Sequence, residues 1–521
     1  MSAPATVGRV LRARVAERPD ADFVVCDDGR LTYADAERRS RVLARGLLAA
    51  GAGRGSRIGL LYPTGLDFVV VWLATARVGA IAVPISTFST PIELRDLLAR
   101  ADVDLLIGVP SYRGNDYVAG LHDELGEDVA RVPSPTVPFL RHVWLEEGFG
   151  TLEALAAAVP DGMLDAAEDD VTPDDRMVIV HTSGSTSAPK GVLHQHGSLL
   201  GHLEHLNRLR GLDPGVRLFS NSPMFWVGGL AYNILGVLVA GATLLCSASL
   251  DPAATLDFIE RERPELTNGF VASIAALVAH PSFPGRDFSS IRGGNLHPLL
   301  PDAIRPADPE LRHNMLGTTE TGSVCLMDPD ETDQPEARRG SFGRPVPGLD
   351  ARVVDPDTLE DVATGVVGEL WFRGPSLMEG YYGRERAEVF TVDGWYRTGD
   401  LFRVDDDGYF YFLGRRGDMI KTAGANVSPR EVEAALREVT GGLGALVLGL
   451  PDAERGQVVG AVVLAEPDDA PDLEAVRQGL RARLSAYKVP RRFLVLGPDE
   501  LPMLSTGKPD QRAIIERFDE R

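Results

Sequence analysis

Cysteine is scarce in this sequence, and the few cysteines that occur are far apart. The 521 residues include only three, Cys26, Cys246 and Cys325. This spacing provides neither a disulfide framework nor a zinc-binding cysteine pair. The first residues also lack the hydrophobic segment of a secretory signal. We therefore expect the protein to work in a reducing compartment, the cytoplasm.

Basic residues are in deficit as well. The chain has 53 lysines and arginines against 75 aspartates and glutamates, which gives a net charge of −22. A surface of this sign repels nucleic acids and anionic membranes, so neither is an expected partner. The expected partner is a small molecule, and the sequence leaves open whether two copies form a homodimer. Any site for an anion has to be built locally, from backbone amides and a few cations.

No membrane-spanning segment is expected. Residues 218–250 are uncharged over a length that could span a bilayer, but they include Asn221, Pro223, Asn233 and several glycines. We expect a buried helix followed by a buried strand over this range.

The composition is that of a large globular protein, with 44% hydrophobic and 25% charged residues. Residues 20–110 alternate helical and strand-like patterns, which predicts an α/β fold of parallel sheets with covering helices. Short strands and turns over residues 341–413 predict a β-rich subdomain. A break at residues 414–418 precedes a compact α+β pattern. We therefore predict a large N-terminal domain, residues 1–415, and a small mobile C-terminal domain, residues 416–521.

The strongest local motif is the loop at residues 181–191, with the sequence His-Thr-Ser-Gly-Ser-Thr-Ser-Ala-Pro-Lys-Gly. Its small hydroxyl and glycine residues allow backbone N–H groups to approach phosphate oxygens, and Lys190 adds a positive charge. The spacing of a Walker A loop is absent. Taken alone, the loop fits a phosphate site and a plain polar turn equally well.

Four further motifs follow in order along the chain, at residues 314–322 (NMLGTTETG), 395–401 (WYRTGDL), 414–429 (GRRGDMIKTAGANVSP) and 505–509 (STGKP). With the first loop, this set resembles the adenylate-forming (ANL) superfamily of AMP-dependent synthetases and ligases. That superfamily contains acyl-CoA synthetases, luciferases and peptide-synthetase adenylation domains. The resemblance spans the whole chain and is greatest to the acyl-CoA synthetases.

The resemblance implies an ATP- and Mg²⁺-dependent enzyme that activates a small carboxylic acid as its acyl-adenylate and releases pyrophosphate. The acyl group would then pass to coenzyme A. One alternative keeps the adenylation but uses another acceptor, such as a carrier-protein thiol, an amine or a small inorganic nucleophile like nitrite. A second alternative is a binding or scaffold protein that retains the fold. A carboxylate is already nucleophilic, so no Ser-His-Asp arrangement is needed.

The resemblance also implies catalytic roles for individual residues. Thr319 would contact the α-phosphate, and Glu320 would ligate Mg²⁺. Lys508 would contact the reacting carboxylate, and Lys190 would bind phosphate. The rest of the phosphate loop would be Thr182, Ser183, Gly184, Ser185 and Thr186.

Further residues would form three pockets and a hinge. The remaining nucleotide contacts would come from Gly293, Gly294, Asn295, Leu316, Gly317, Thr318, Asp400 and Arg415. The acyl pocket would be lined by Phe225, Trp226, Gly228 and Val271. The tunnel for coenzyme A would be lined by Lys421, Gly424 and Ala425. Gly417 would serve as the hinge between the two domains.

Several positions depart from the family pattern. Ser187 and Ala188 replace a glycine and a variable residue in the phosphate loop, and Leu316 replaces an aromatic residue that often stacks on adenine. Trp226 stands where acyl-CoA synthetases commonly have histidine. A tryptophan there narrows the acyl pocket, so we expect a compact acid, aromatic or cyclic, in preference to a long fatty chain.

Two polar clusters have simpler interpretations. Four histidines fall in one segment predicted to be helical, without the spacing of a zinc motif, and we interpret them as packing residues: His194, His196, His202 and His205. Three polar residues of a second helix are interpreted as its solvent-facing side: Glu431, Glu433 and Arg437.

Overall fold

The computed structural model describes residues 6–126, 133–146, 148–182, 189–415, 420–427, 429–466, 469–497, 500–502 and 509–519. The chain forms two compact units. Unit 1 comprises Met1–Thr87, Leu98–His181 and Gly191–Gly414. Unit 2 comprises Phe88–Leu97, Thr182–Lys190 and Arg415–Arg521.

The helices of the described residues are α1 (Val7–Glu17), α2 (Tyr33–Ala49), α3 (Leu66–Arg77), α4 (Pro91–Arg100), α5 (Tyr117–Leu125), α6 (Gly148–Ala156), α7 (Asp161–Asp170), α8 (His196–Leu209), α9 (Gly236–Ala240), α10 (Pro252–Glu262), α11 (Ala275–Val278), α12 (Pro429–Val439), α13 (Leu473–Arg481) and α14 (Gln511–Asp519). A π-helix, Gly228–Leu235, precedes α9.

The strands are β1 (Asp22–Cys26), β2 (Gly29–Thr32), β3 (Arg57–Leu61), β4 (Ile81–Pro84), β5 (Leu105–Gly108), β6 (Ser111–Tyr112), β7 (Asn115–Asp116), β8 (His142–Trp144), β9 (Arg176–Thr182), β10 (Lys190–Gln195), β11 (Arg217–Ser220), β12 (Thr243–Leu245), β13 (Leu266–Asn268), β14 (Gly293–Gly294), β15 (Leu316–Thr318), β16 (Ser323–Met327), β17 (Arg344–Pro345), β18 (Asp350–Val354), β19 (Gly368–Arg373), β20 (Gly380–Tyr381), β21 (Tyr396–Val404), β22 (Phe410–Arg415), β23 (Ile420–Thr422), β24 (Ala425–Val427), β25 (Gly444–Asp452), β26 (Gly456–Leu464) and β27 (Arg492–Leu496).

Two large sheets organise unit 1. One has six strands in the order β14-β13-β11-β12-β1-β2, and the other has seven in the order β20-β10-β9-β4-β3-β5-β8. Most neighbouring strands in both are parallel, as β3 is to β4 and to β5. Apart from the partly exposed first residue of β3, residues in β3, β4 and β5 are buried. Continuous apolar strands are typical of parallel sheets covered by helices on both faces. The predicted α/β fold is therefore confirmed.

The uncharged stretch at residues 218–250 folds inside unit 1. It begins with the end of β11, continues through the π-helix and α9, and ends after β12. Gly241 closes α9 in the left-handed conformation, with φ of +72°. Among the described residues, none of the helices combines the length and apolar character needed to cross a bilayer. The expected buried helix and strand are present, and the strand β11 before them was not predicted.

Smaller antiparallel sheets make up the β-rich part of unit 1. A three-stranded sheet has the order β15-β16-β17, and a four-stranded sheet has the order β18-β19-β21-β22. Trp371 and Trp395 pack with Val354 in a small core beneath the second of these sheets. The short strands and turns expected from the sequence in this region are present.

Unit 2 has its own sheet and core. Its five strands follow the order β24-β23-β26-β25, with β27 added along β26. The helices α12 and α13 contribute Val432, Leu436, Val476 and Leu480 to one buried cluster. An amphipathic helix buries one face in this way because its apolar residues recur every three or four positions.

The interpretation of Glu431, Glu433 and Arg437 as a solvent-facing stripe is wrong for the two glutamates. Lys488 Nζ donates to Glu431 Oε1 at 2.8 Å and to Glu93 Oε1 at 2.9 Å. Glu433 Oε1 accepts a hydrogen bond at 2.9 Å from a backbone N–H of β25. Burial raises the pKa of Glu431, and the charge of Lys488 opposes this shift. Helical spacing identifies the polar side of a helix, but it does not show that a distant lysine covers it.

Candidate active site

Three loops leave the six-stranded sheet at the same edge. The neighbouring parallel strands β11, β13 and β14 pair Ser220 with Asn268 and Thr267 with Gly294. Ligands of such sheets bind in the crevice outside the carboxyl ends of the strands. The loops after β11, β13 and β14 contain the predicted pocket residues Phe225, Trp226, Gly228, Val271 and Asn295.

An aromatic cluster occupies the first of these loops. The ring of Trp226 meets Phe225 and Phe270 edge to face, with centroid distances of 5.9 and 5.6 Å. A Cβ atom on Gly229 would lie 2.0 Å from the carbonyl oxygen of Pro223, so this turn requires glycine. The π-helix Gly228–Leu235 begins one residue before Gly229. π-helices occur frequently at functional sites. The cluster fixes the ring of Trp226 against its two aromatic neighbours.

The turn between β15 and β16 contains Thr319 and Glu320. Gly322 N donates to the carbonyl oxygen of Thr319 at 3.1 Å and closes the turn. Thr321 Oγ1 donates to Ser323 O at 2.9 Å. Gly322 has a φ of +76°, and a Cβ atom there would lie 3.0 Å from a neighbouring backbone oxygen. The turn therefore has a defined shape, which depends on a glycine.

His194 supports this turn from the adjacent sheet. Its Nε2 lies 2.6 Å from the carbonyl oxygen of Thr319, and the side chain is fully buried. Burial lowers the pKa of His194 to about 4, although the bond to Thr319 acts in the opposite direction. The ring is therefore neutral at pH 7, and because a carbonyl oxygen only accepts, Nε2 carries the proton. His194 orients Thr319 through the backbone.

Tyr381 holds the side chain of Glu320. The hydroxyl of Tyr381 donates to Glu320 Oε1 at 2.8 Å. The backbone of Glu320 is fixed as well, since Met378 N donates to its carbonyl oxygen at 2.8 Å. No hydrogen bond to the second carboxylate oxygen is present among the described residues. A carboxylate held by one oxygen keeps the other available for a cation, and carboxylate oxygens are the ligands that Mg²⁺ prefers.

Asp400 lies in β21 and is buried, with 3% of its surface exposed. Burial raises the pKa of Cys325 to about 12, and the charge of Asp400 adds to this shift. Asp400 is thus within electrostatic reach of β16, the strand that follows Thr319 and Glu320. The two strands belong to different sheets, so packing between sheets brings Asp400 near β16.

The second residue of β14 has to be glycine. Gly294 has a φ of +115°, and a Cβ atom there would lie 2.0 Å from the carbonyl oxygen of Thr267. Asn295 is anchored to the neighbouring loop, since its Oδ1 accepts from Gly269 N at 3.0 Å and its Nδ2 donates to Gly269 O at 2.8 Å. Gly293, Gly294 and Asn295, which are predicted nucleotide residues, therefore lie at the carboxyl edge of the sheet with Asn295 fixed in place.

The remaining nucleotide residues of unit 1 lie in β15. Leu316, Gly317 and Thr318 pair with β16 through a register shift between Leu316 and Gly317. Leu316 is buried, with 6% of its surface exposed. Thr318 Oγ1 accepts from Thr321 N at 3.2 Å. This strand leads directly into the Thr319–Glu320 turn.

The predicted tunnel residues of unit 2 form a tight hairpin. Lys421 pairs with Asn426 and Thr422 with Ala425 across β23 and β24. Both turn residues have positive φ, +48° at Ala423 and +83° at Gly424. Such angles match the two-residue turns that suit the twist of a hairpin. Lys421 is exposed and Ala425 is buried.

Several predicted residues lie outside the described ones, namely Ser183, Gly184, Ser185, Thr186, Gly417 and Lys508. The loop positions Ser187 and Ala188 and the side chain of Arg415 are also outside them. Thr182 ends β9 and Lys190 begins β10, and both are half-buried in unit 2.

The histidine cluster consists of packing residues, with one change in position. His194 lies in β10, and the helix α8 begins only at His196. His202 Nε2 donates to the carbonyl oxygen of Val324 at 2.9 Å, and His196 Nδ1 accepts from Val7 N at 3.3 Å. Within the described part of the chain, no group of three histidine, cysteine, aspartate or glutamate side chains is arranged to hold a metal ion.

Comparison with known proteins covers both parts of the chain. The family model described as AMP-binding enzyme matches residues 11–382, and that of the AMP-binding enzyme C-terminal domain matches residues 431–508. Feruloyl-CoA synthase of Amycolatopsis sp is 32% identical over 528 residues, 98% of each chain. Indoleacetate–CoA ligase of Aromatoleum aromaticum is 31% identical over 497 residues, 94% of each chain. The solved structure of the amide bond synthetase McbA from Marinactinospora thermotolerans matches with a TM-score of 0.77 at 26% identity, covering 99% of this chain and 100% of that one.

Proposed function

The chain belongs to the AMP-binding enzyme family, and from this premise we propose that it joins a small carboxylic acid to coenzyme A by way of an acyl-adenylate. The observation that supports this most directly is the Thr319–Glu320 turn. Its backbone is fixed by His194 and its carboxylate by Tyr381. A binding or scaffold protein would have no need to orient an acidic side chain in this way.

In the first step, an oxygen of the substrate carboxylate bonds to the α-phosphorus of ATP. The bond from that phosphorus to the bridging oxygen of pyrophosphate breaks, and pyrophosphate leaves with the electron pair. The nucleophile is already an anion, so no side chain has to remove a proton from it. The ring of His194 is neutral, and its Nε2 is hydrogen-bonded to the carbonyl oxygen of Thr319. This arrangement agrees with a reaction in which His194 is not required as a base.

The difficulty of that step is charge, since an anion must approach a polyanion. Mg²⁺, when bound, neutralises the phosphates and favours the departure of pyrophosphate. One carboxylate is sufficient for such a site, because Mg²⁺ is commonly held by one or two carboxylates together with substrate phosphates. Glu320 would supply that carboxylate, and Thr319 would contact the α-phosphate. Lys190 and Lys508 would add positive charge in the transition state.

In the second step, the sulfur of coenzyme A attacks the carbonyl carbon of the adenylate. The thiol loses its proton, the bond between the carbonyl carbon and the phosphate oxygen breaks, and AMP leaves. We assign the hairpin with Lys421, Gly424 and Ala425 to the pantetheine tunnel. Gly417 would serve as the hinge, because glycine tolerates large changes in φ and ψ. On this assignment, residues 1–415 hold the reactants and residues 416–521 reorient between the steps.

We infer a compact aromatic acid as the substrate. Trp226, packed between Phe225 and Phe270, would face the ring of such an acid edge-on or offset, as aromatic pairs prefer. Two relatives that cover nearly the whole chain are named for ferulate and indoleacetate, both aromatic acids. An aromatic substrate therefore agrees with the pocket wall and with the relatives.

Pyrophosphate release over a panel of acids tests the proposal. Release that needs acid and ATP, with AMP and an acyl-CoA formed when coenzyme A is present, is the expected result. Glu320→Gln should abolish it, and Lys508→Ala should slow adenylation roughly a hundredfold, since one such electrostatic donor contributes about 3 kcal/mol. Absence of pyrophosphate release with every acid would sink the proposal and favour a binding protein.

An amine acceptor is the second candidate, supported by the similarity to an amide bond synthetase. The same assay separates the two when an amine replaces coenzyme A. Amide formation without acyl-CoA formation would replace the first candidate by the second. Sedimentation of the purified protein answers the separate question of whether it forms a homodimer.

A further inference from the structure

A cavity in unit 1 lies beside the proposed active site. It encloses about 670 Å³ of space between side chains, part of which is open to solvent. Its lining side chains include several hydrogen-bond donors, among them Arg210, Tyr232, Asn268, Asn295, His297 and His313.

Arg210 is the most unusual of these residues. Its Nη2 donates to Asn207 Oδ1 at 2.8 Å and to the carbonyl oxygen of Tyr232 at 2.7 Å. Its guanidinium carbon lies 4.0 Å from the centre of the Tyr232 ring. Nη1 is buried and has no hydrogen-bond partner among the described residues. No carboxylate of the described part of the chain forms an ion pair with Arg210, which is therefore a buried cation without a counter-ion.

A buried cation of this kind is costly unless an anion accompanies it. Burial lowers the pKa of Arg210, although the neighbouring Tyr232 opposes this shift. Arginine nevertheless stays charged in proteins. The free energy of the site would therefore improve if a ligand placed an anionic oxygen against Nη1.

Two neutral histidines add further hydrogen-bonding capacity. His297 Nδ1 and His313 Nε2 are both buried without a partner among the described residues. Burial lowers the pKa of both rings. His313 is also fixed in place, since its ring stacks on Tyr409 at 5.0 Å and its Nδ1 lies 3.0 Å from Ser341 Oγ. A neutral imidazole can donate from one nitrogen, so either ring can donate a hydrogen bond to a ligand in the cavity.

Carboxylates also line the cavity, but each already accepts hydrogen bonds. Asp330 accepts from Gln334 Nε2 at 3.0 Å and from Thr332 N at 2.9 Å. Glu331 Oε2 accepts from Gly294 N at 3.0 Å. Both acidic residues are exposed, whereas Arg210 is half-buried with its Nη1 atom fully enclosed. The cavity is thus acidic where it meets solvent and cationic at its interior end.

The cavity is connected to the proposed reaction site through shared residues. Gly294 and Asn295 line it, and Met315 lines it directly before β15. A buried chain of hydrogen bonds leads from Asn268 Nδ2 to Asn233 Oδ1 at 3.1 Å, and from Asn233 Nδ2 to Ser220 Oγ at 2.8 Å. That chain ends at the loop containing Trp226. The cavity therefore borders the loops of the proposed substrate pocket.

We propose that the acid carries a second oxyanion at the end remote from the reacting carboxylate, and that Arg210 Nη1 binds this group. The inference rests on the proposed function and specifies its substrate class. Carboxylate, sulfonate and phenolate share the required chemistry, a compact anionic oxygen. Arg210 is accordingly a specificity-determining residue and takes no part in bond making.

Matched acids test the proposal in the wild-type enzyme. Terephthalate, 4-sulfobenzoate and 4-hydroxybenzoate are each compared with 4-methylbenzoate by ATP–pyrophosphate exchange. We expect kcat/KM to be at least about tenfold higher for one or more of the three acids with a distal oxygen, as a hydrogen bond to a charged group implies. The acid that gains most identifies the source of the oxyanion. A wild-type enzyme that prefers 4-methylbenzoate overturns the proposal.

Two variants test whether Arg210 causes the preference for a distal oxyanion. Arg210→Gln should remove the preference while exchange with 4-methylbenzoate continues. Arg312→Gln is the matched control, because Arg312 lines the same cavity but its Nε is already bonded to Asp333 Oδ1 at 2.7 Å. This control should keep the preference. An Arg210→Gln enzyme that still prefers the distal oxyanion contradicts the assignment.

A binding measurement separates this proposal from the proposed function. Calorimetry of wild-type protein with terephthalate and 4-methylbenzoate, in the absence of ATP, needs neither turnover nor a folded variant. Tighter binding of terephthalate together with no exchange for any acid would uphold the Arg210 site and reject the enzymatic activity. Pyrophosphate exchange together with equal binding of both acids would uphold the enzymatic activity and reject the Arg210 site.

Discussion

Replacing Tyr381 with phenylalanine tests the role of Glu320 most directly. The change removes one hydroxyl, which donates to Glu320 Oε1 at 2.8 Å, and keeps the buried ring. A hydrogen bond to a charged group contributes about 1.5–3 kcal/mol, and each 1.4 kcal/mol corresponds to about tenfold in an equilibrium. We therefore expect Tyr381→Phe to lower kcat/KM for adenylation by roughly ten- to a hundredfold.

The physical reason is the orientation of the carboxylate, so the loss should depend on Mg²⁺. ATP–pyrophosphate exchange is measured over a range of Mg²⁺ concentrations, and the half-saturating concentration should rise in the variant. Excess Mg²⁺ should restore part of the rate. The free energy of unfolding should fall by no more than about 3 kcal/mol, the contribution of a hydrogen bond to a charged group.

The adjacent tyrosine provides the control. The hydroxyl of Tyr382 donates to Asp102 Oδ2 at 2.7 Å, so Tyr382→Phe removes the same kind of bond at a different carboxylate. It should leave the Mg²⁺ dependence unchanged. The reasoning is refuted if Tyr381→Phe exchanges at the wild-type rate and with the wild-type Mg²⁺ requirement, or if both variants lose activity equally.

Three further outcomes are expected. Burial lowers the pKa of four histidines from the ordinary 6.5 to about 4, namely His181, His194, His196 and His202. Below pH 6.5 the unfolded chain therefore takes up protons at these side chains that the folded chain does not. The free energy of unfolding is therefore unaffected by these groups above pH 6.5 and decreases as the pH falls toward 4. At pH 5 the decrease is about 2 kcal/mol for each histidine. Equal urea midpoints at pH 7 and pH 5 would contradict this. Gly294→Ala should lower the free energy of unfolding by about 2 kcal/mol or more and weaken ATP binding, because its Cβ would lie 2.0 Å from a backbone oxygen. Gly293→Ala, whose Cβ would meet only the end of the Glu331 side chain, is the control and should be milder. All three cysteines are buried and burial raises the pKa of Cys325 to about 12, so a thiol reagent at pH 8 should label none of them until the protein unfolds.

The large-scale fold follows from local helical and strand periodicities that can be recognised in the sequence. The helices α2 and α3 and the strands β3 and β4 lie within residues 20–110, whose alternating patterns predicted helices and strands. Each has one periodicity, and a glycine or proline lies at its end or two residues beyond it. The predicted pocket residues of unit 1 follow strands of one sheet. Parallel strands place their following loops at one edge, so residues after β11, β13 and β14 converge whatever separates them in sequence.

Residues that act through distant partners were not predictable. Tyr381 lies 61 positions from Glu320, and His194 lies 125 positions from Thr319. A tyrosine and a histidine in short buried strands carry no local signal of what they will contact. The same holds for Arg210, at the end of a helix with ordinary spacing. Its lack of a counter-ion exists only in the folded chain, where no described carboxylate forms an ion pair with it.

One strand pairing accounts for both supports of the Thr319–Glu320 turn. The strands β10 and β20 are antiparallel, and Val192 pairs with Tyr381. His194 follows two residues after Val192, so period-two alternation points both side chains of β10 to the same face. The pairing therefore places His194 and Tyr381 beside the same turn, where one holds its backbone and the other its carboxylate. Because β10 begins at Lys190, the strand that leaves the phosphate loop also positions the proposed Mg²⁺ ligand, and a shift of β10 would disturb both at once.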